Sequence, residues 1–327
     1  MTVGASWHTP LNLSFRTATL EGASLRPGSE GLPNFRFRAH ASLGNNPQFA
    51  AQVLRMLETY NTLEQAVGLP PYTPESTPCY QVEGNEKRIA EIASRFRRCI
   101  GLGEAPIFNL FDTVEEIGLK VLRVSYPIKG FFSLSACSDA QGAFVLINSH
   151  NITIERQLFT LAHEIGHLIC HRDGYKDTLI EEGTKEQEKA REKVADCFAG
   201  HLLVPQAELE RMYQLTTNIV KLKQHFRVGY QVILTRLAQM EVIDYAKEKA
   251  KICAVYKKQH SSSLKNTMEL PPELKPEDFP ENERYQQLIW QALKSGKISE
   301  MKAAELLDIT VETLRVCRQD AEIYAIS

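Results

Sequence analysis

No stretch of this chain approaches the roughly eighteen consecutive apolar residues that a helical membrane span needs, so no membrane partner is expected. The opening MTVGASWHTPLNLSF lacks the basic-then-apolar order of a secretory signal, which leads to the expectation of a cytoplasmic protein. Paired C-x-x-C spacing is missing as well. The seven cysteines, Cys79, Cys99, Cys137, Cys170, Cys197, Cys253 and Cys317, are odd in number and scattered, and in a reducing compartment most are expected to be free and buried. A strong charge bias is also lacking: the net charge of −2 argues against wholesale coating of nucleic acid, although local basic patches remain open. No repeat of solenoid period is present.

What is present is an ordinary globular composition, 43% hydrophobic and 24% charged over 327 residues, enough for a full-sized core in two domains or in one domain with appendages. The first 45 residues are rich in Gly, Ser, Pro and Arg and read as an arm with short strands. Within it, Arg36 and Arg38 alternate with Phe35 and Phe37, as an edge strand with a charged face does more often than a nucleic-acid contact. Residues 46–67 have helical periodicity, ended by Gly68 and the run of Pro70, Pro71, Pro74 and Pro78. A second helix is expected over 86–100, then a short helix and a strand in FDTVEEIGLKVLRVSYP. KGFFSLSACSD and GAFVLIN read as a hairpin about a polar turn at 138–142.

That hairpin leads into Phe159–His171, FTLAHEIGHLICH, around which the rest of the chain is organised. A helix with about 3.6 residues per turn puts His163 and His167 one turn apart on one face, where two imidazoles grip one metal ion. Glu164 then lies beside the open coordination position, placed to take a proton from water. The context is helical: Asn151 or Thr153 can cap the start, Leu158, Leu161, Ile165, Leu168 and Ile169 form a broad apolar surface, and Gly174 suits the stop.

A catalytic zinc needs a third ligand. His171 lies eight residues beyond His163, about 12 Å along a helix, too far for bonds of about 2 Å to one ion. Asp173 is a weak candidate, because the glycine break that would swing it round is Cys170 here. The following helix, KEQEKAREKVADCFAGHLLVP, offers Glu192 with Asp196 one turn later, the spacing of a ligand and of a carboxylate that orients a ligating histidine. Glu188 shares that stripe, but Glu192 is preferred because Val194, Ala195, Phe198 and Leu202 bury its turn.

Together, FTLAHEIGHLICH after a strand ending in Ile147 and Asn148, and E-x-x-A-D-x-F-A-x-x-L-L-x-P from Glu192 to Pro205, resemble the ImmA/IrrE metallopeptidases, whose ligand arrangement is similar to that of thermolysin-like gluzincins. The resemblance spans roughly residues 80–245. It implies that His163, His167 and Glu192 bind Zn2+ and that Glu164 is the catalytic base. Val194 stands where many relatives have another Glu. Relatives fused to a repressor carry an N-terminal five-helix unit that the first 75 residues do not resemble, so the substrate is expected to be a separate protein, a helix-turn-helix repressor cut to relieve repression.

The expected fold is α+β: a mainly helical zincin-like metallopeptidase core with a small β-sheet, followed by helix-turn-helix-like units. The expected divisions are a 1–75 extension with arm and helix, a 76–212 core, a 213–260 helical hairpin, a 261–283 Pro/acidic linker and a 284–327 C-terminal hairpin. A substrate segment is expected to pair with GAFVLIN, and Tyr175 and His201 are candidate oxyanion donors. Cys137 and Cys170, the thiols nearest the expected cleft, are candidates for an inhibitory ligand in zinc's fourth position. The competing reading is a DNA-binding or toxin–antitoxin-type regulator on a peptidase-like scaffold, using Lys221, Lys223, Arg227, Arg236, Arg315 and Arg318.

Overall fold

The alternation of short apolar runs with longer amphipathic ones gives an α+β, mainly helical architecture, seen in a computed structural model that describes residues 36–39, 47–77, 82–128, 130–172, 185–265 and 268–324. The elements are β1 (Arg36–Ala39), α1 (Pro47–Ala66), α2 (Glu86–Cys99), α3 (Leu110–Glu116), β2 (Lys120–Val124), β3 (Ser133–Ser138), β4 (Gly142–Asn148), α4 (Ile154–Cys170) and α5 (Lys185–Leu203). There follow α6 (Gln206–Leu215), α7 (Ile219–Phe226), α8 (Tyr230–Gln239), α9 (Tyr245–His260), α10 (Glu283–Lys294), α11 (Glu300–Leu306) and α12 (Val311–Tyr324). Among the described residues no helix is long and apolar enough to cross a membrane.

The sheet order is β1-β3-β4-β2, with β3 antiparallel to both β1 and β4, and β2 parallel to β4. Every residue of β4 is buried, because successive side chains enter two different cores. Ala143, Val145 and Ile147 join Val121, Leu161, Ile165 and Phe198 on the face covered by α2 to α8. Phe144 and Leu146 join Leu57, Leu134 and Ile289 on the other face, which α1 and α10 to α12 cover. The N-terminal helix and the C-terminal helices therefore share one apolar layer against the back of the sheet.

The position of β4 overturns the expectation that a substrate pairs with GAFVLIN. Both edges of its backbone are already taken, by β3 and by β2. Among the described residues only β1 and β2 are outermost, and the outer side of β2 is covered at Arg123: the Asn282 amide donates to the Arg123 carbonyl (3.0 Å) and accepts from the Arg123 N–H (2.7 Å), as a paired strand would. Replacing Asn282 with Ala is expected to cost about 1–3 kcal/mol by leaving two buried backbone groups unpaired. Denaturant unfolding reads that loss, and faster hydrogen exchange at the Arg123 amide locates it.

Asn282 closes the Pro/acidic stretch that composition marks as a linker. The stretch is instead a strap on the core. Phe279 is buried against Phe111, and its carbonyl accepts from Arg123 Nη1 at 2.7 Å. Lys223 Nζ donates to the carbonyls of Leu270 (2.6 Å) and Pro272 (2.9 Å).

The helical pairs α7/α8 and α11/α12 form where the sequence places them, and they pack. Leu222, Phe226, Ile233 and Leu237 enter the main core, and Ala303, Ala304, Leu307 and Leu314 enter the second. This corrects the reading of Lys223 and Arg236 as DNA contacts, since both are only 1–2% exposed and bonded inside the protein. Arg227 stacks on Phe108 and Phe279, and Arg315 and Arg318 both pair with Glu300.

Candidate metal centre

Helix α4 is fixed at both ends before it carries any chemistry. Thr153 accepts from the Arg156 N–H at its start, and the His171 N–H closes on the His167 carbonyl. All of its residues but Arg156 and Phe159 are buried, so its ionisable groups require partners. The partners come from α5 and β3. Gly166, between the two histidines of the motif, lets α5 approach: a Cβ there would lie 3.1 Å from the Phe198 ring and 3.2 Å from the Ala195 Cα. With any larger residue the Phe198 ring and the α5 backbone would have to give by a few tenths of an ångström.

That close approach brings His163, His167 and Glu192 together. The two Nε2 atoms are 2.9 Å apart, and the Glu192 carboxylate oxygens lie 3.2 Å from His163 Nε2 and 3.4 Å from His167 Nε2. A tetrahedral zinc with bonds of about 2.0–2.1 Å separates its ligand atoms by roughly 3.3–3.4 Å, so these three donors span one face of such a site with little adjustment. Two imidazoles and a carboxylate are also the donor set of hydrolytic zinc sites.

The surrounding groups orient the rings. Asp196 Oδ1 lies 2.8 Å from His163 Nδ1, so the Nδ1–H of that ring donates outward and its Nε2 faces the cluster. His171 Nδ1 lies 2.8 Å from His167 Nδ1 and is placed to do the same for His167. Burial opposes a charge on His163, but the hydrogen bonds to Asp196 and Glu192 and the charge of Glu164 lift it to about 9. Carboxylates that draw a proton onto this ring offer the same negative potential to a cation.

Glu164, whose charge acts on His163, is held by the sheet. Ser133 Oγ donates to one carboxylate oxygen at 2.6 Å and Ser135 Oγ to the other at 2.5 Å, with Glu164 only 1% exposed. The two serines flank Leu134, so they share one face of β3. They were not singled out from the sequence. The alternating Ser-Leu-Ser on a strand before a metal helix is the signal that could have found them.

Residues 115–238, from the end of α3 into α8, match the Peptidase_M78 family, the IrrE N-terminal-like domain. This segment belongs to that family. The M78 segment contains β2 to β4, α4 and α5, and thus every residue of the cluster. A solved Mycobacterium tuberculosis transcriptional regulator is similar at 19% identity and a TM-score of 0.34, over 56% of this chain and 51% of that one. The chain thus spans about half the length of that regulator. No curated protein matches the chain.

Among the described residues, Glu188, Cys137, Cys170 and His201 do not join the cluster. Glu188 is exposed on α5, and Asp173 and Tyr175 lie outside the described residues. Cys137 and Cys170 are both buried in the apolar core, and neither joins the three atoms that lie within 4.8 Å of one another. His201 does not face the cluster; it is 3.4 Å from Glu86 and 3.0 Å from Arg236 Nη1. Glu86, Cys197 and His201 form a second group of metal-binding type, but the Arg236 guanidinium already brings a cation to its histidine. Burial and that guanidinium lower His201 to about 3, and burial raises Cys197 to about 12.

Proposed function

We propose that this protein is a zinc-dependent endopeptidase that cuts one specific partner, a helix-turn-helix transcriptional repressor, and thereby relieves repression. The observation that carries the peptidase part is the convergence of His163 Nε2, His167 Nε2 and the Glu192 carboxylate within hydrogen-bonding distance of one another, next to Glu164. His163, His167 and Glu192 would hold the ion, and Asp196 and His171 would fix the two imidazoles. Zinc bound there supplies Lewis-acid polarisation of a peptide carbonyl and acidifies water towards a pKa of about 7.

Glu164 takes the proton of the attacking water and hands it to the departing amine. Ser133 and Ser135 hold its carboxylate while it does so. The repressor part rests on the family resemblance and on the packed helical pairs α7/α8 and α11/α12, which suit docking against another helical protein. General turnover requires a gated chamber that one chain of this size does not form, so narrow specificity is expected.

The test is co-incubation of the zinc-loaded protein with candidate repressors, read by intact mass. A single cut at an exposed segment after the repressor's DNA-binding domain is expected. Efficient cleavage of casein with no preference for any repressor would overturn the partner assignment and leave the peptidase assignment standing.

A further inference from the structure

We infer that β1 is the chain's own occupant of the sheet edge on which a peptide substrate docks, so that the N-terminal arm holds the site in check. This rests on the peptidase reading. Extended peptides bind by adding a strand to an open sheet edge, where the backbone supplies the affinity. The sheet has two outer positions. On the β2 side, the Asn282 side chain already satisfies the outward backbone groups of Arg123, the fourth of that strand's five residues. The other open side belongs to β3, and β3 is the strand whose Ser133 and Ser135 hold Glu164. A peptide paired with β3 therefore runs one strand spacing, about 4.8 Å, from the strand that grips the proposed base.

That position is taken by Arg36–Ala39 of the same chain. The pairing is antiparallel, with Arg36 opposite Cys137, Phe37 opposite Ala136, Arg38 opposite Ser135 and Ala39 opposite Leu134. The register thus brings β1 opposite Ser135, one of the two serines that hold Glu164, and stops one residue short of Ser133. A four-residue strand makes few ladder bonds. A longer extended segment of a substrate, able to pair with the whole of β3, can displace it. The ligand class is therefore an unstructured peptide segment at least as long as β1, paired antiparallel to β3. The intramolecular strand sets the threshold that the segment must exceed.

Consecutive N–H groups of a strand point to opposite edges, so replacing both Phe37 and Arg38 with proline removes at least one bond to β3 without shortening the chain. The test uses that double variant in a Glu164→Gln background and a labelled peptide of residues 33–42, PNFRFRAHAS, read by fluorescence anisotropy. The peptide is expected to bind the double variant at least tenfold more tightly than the parent, and amides of β3 to exchange at least tenfold faster when no peptide is present. A chain beginning at Asn45 is the second variant, expected to behave the same way. Equal peptide affinity in parent and variants, with unchanged exchange in β3, would overturn the inference. Tighter peptide binding by the variants of a chain that cuts no protein supports the docking edge and removes the peptidase reading. Cleavage by a chain whose variants bind the peptide no better than the parent does the reverse.

Discussion

Glu164→Gln is expected to retain about one zinc per chain by elemental analysis while cleavage of the partner falls by roughly 10²–10⁴, the range for loss of a positioned general base. The amide keeps the volume of the side chain, and its single oxygen can still accept from Ser133 or Ser135, so the fold around β3 should persist. Binding and chemistry separate in the companion variants. His163→Ala and Glu192→Ala each remove one of three donors, and both are expected to lose the metal along with activity. Full zinc occupancy in Glu192→Ala would reassign the third ligand, to Glu188 or to Asp173. Wild-type cleavage by Glu164→Gln would remove the proposed mechanism whatever the metal content.

The largest expected effect on stability lies away from that site, at Lys223. Its ammonium, 2% exposed, sits 3.3 Å from Glu155 and 3.2 Å from Glu269, and these two carboxylates belong to the metal helix and to the strap. Replacing Lys223 with Met leaves two buried acids facing one another with no cation between them. Removing one partner of a buried ion pair costs about 3–5 kcal/mol, which for a chain of this size lowers the melting temperature by roughly 4–7 °C.

The loss should depend on pH. Burial pushes the Glu269 carboxyl above its ordinary range, against the lowering effects of the Tyr230 and Leu270 N–H groups and of Lys223. A carboxyl raised in the folded state contributes stability that is fully present below its unfolded pKa and is lost as pH rises through the folded value. Without Lys223 the folded value rises further. The deficit of Lys223→Met should therefore shrink between pH 8 and pH 5 and grow on the alkaline side. A loss below about 1 kcal/mol, or one that is the same at both pH values, would show that the ammonium does not hold these acids together.

Local patterns were enough for the elements and for the motif. The period of apolar residues marks α1, α2, α4, α5 and the pairs α7/α8 and α11/α12, because each buries one face and caps or breakers end it. His163 and His167 are legible for the same reason: four residues along a helix is a fixed spatial relation that needs no tertiary information. Glu192 and Asp196 could be picked out by spacing together with the apolar residues around their turn, but their distance to His163 depends on how closely α5 approaches, and Gly166 permits that approach.

Everything that depends on chain-distant pairing was decided by the tertiary structure. β4 reads as an apolar strand, yet nothing local says that β2 pairs with it in parallel and closes its second edge. The strap at 261–283 reads as a linker because proline and acid dominate it, while its attachment runs through a few residues, Glu269, Phe279 and Asn282, whose partners are Lys223, Phe111 and Arg123. Lys223 and Arg236 read as surface cations because charge is ordinarily solvated, and they are buried because carbonyls and side chains from other elements satisfy them. Sequence determines which residues share a face of one helix or strand through the fixed geometry of the backbone. Which faces and edges meet depends on the packing of the whole chain, and that packing joins Glu164 to Ser133 and Ser135 and β1 to β3.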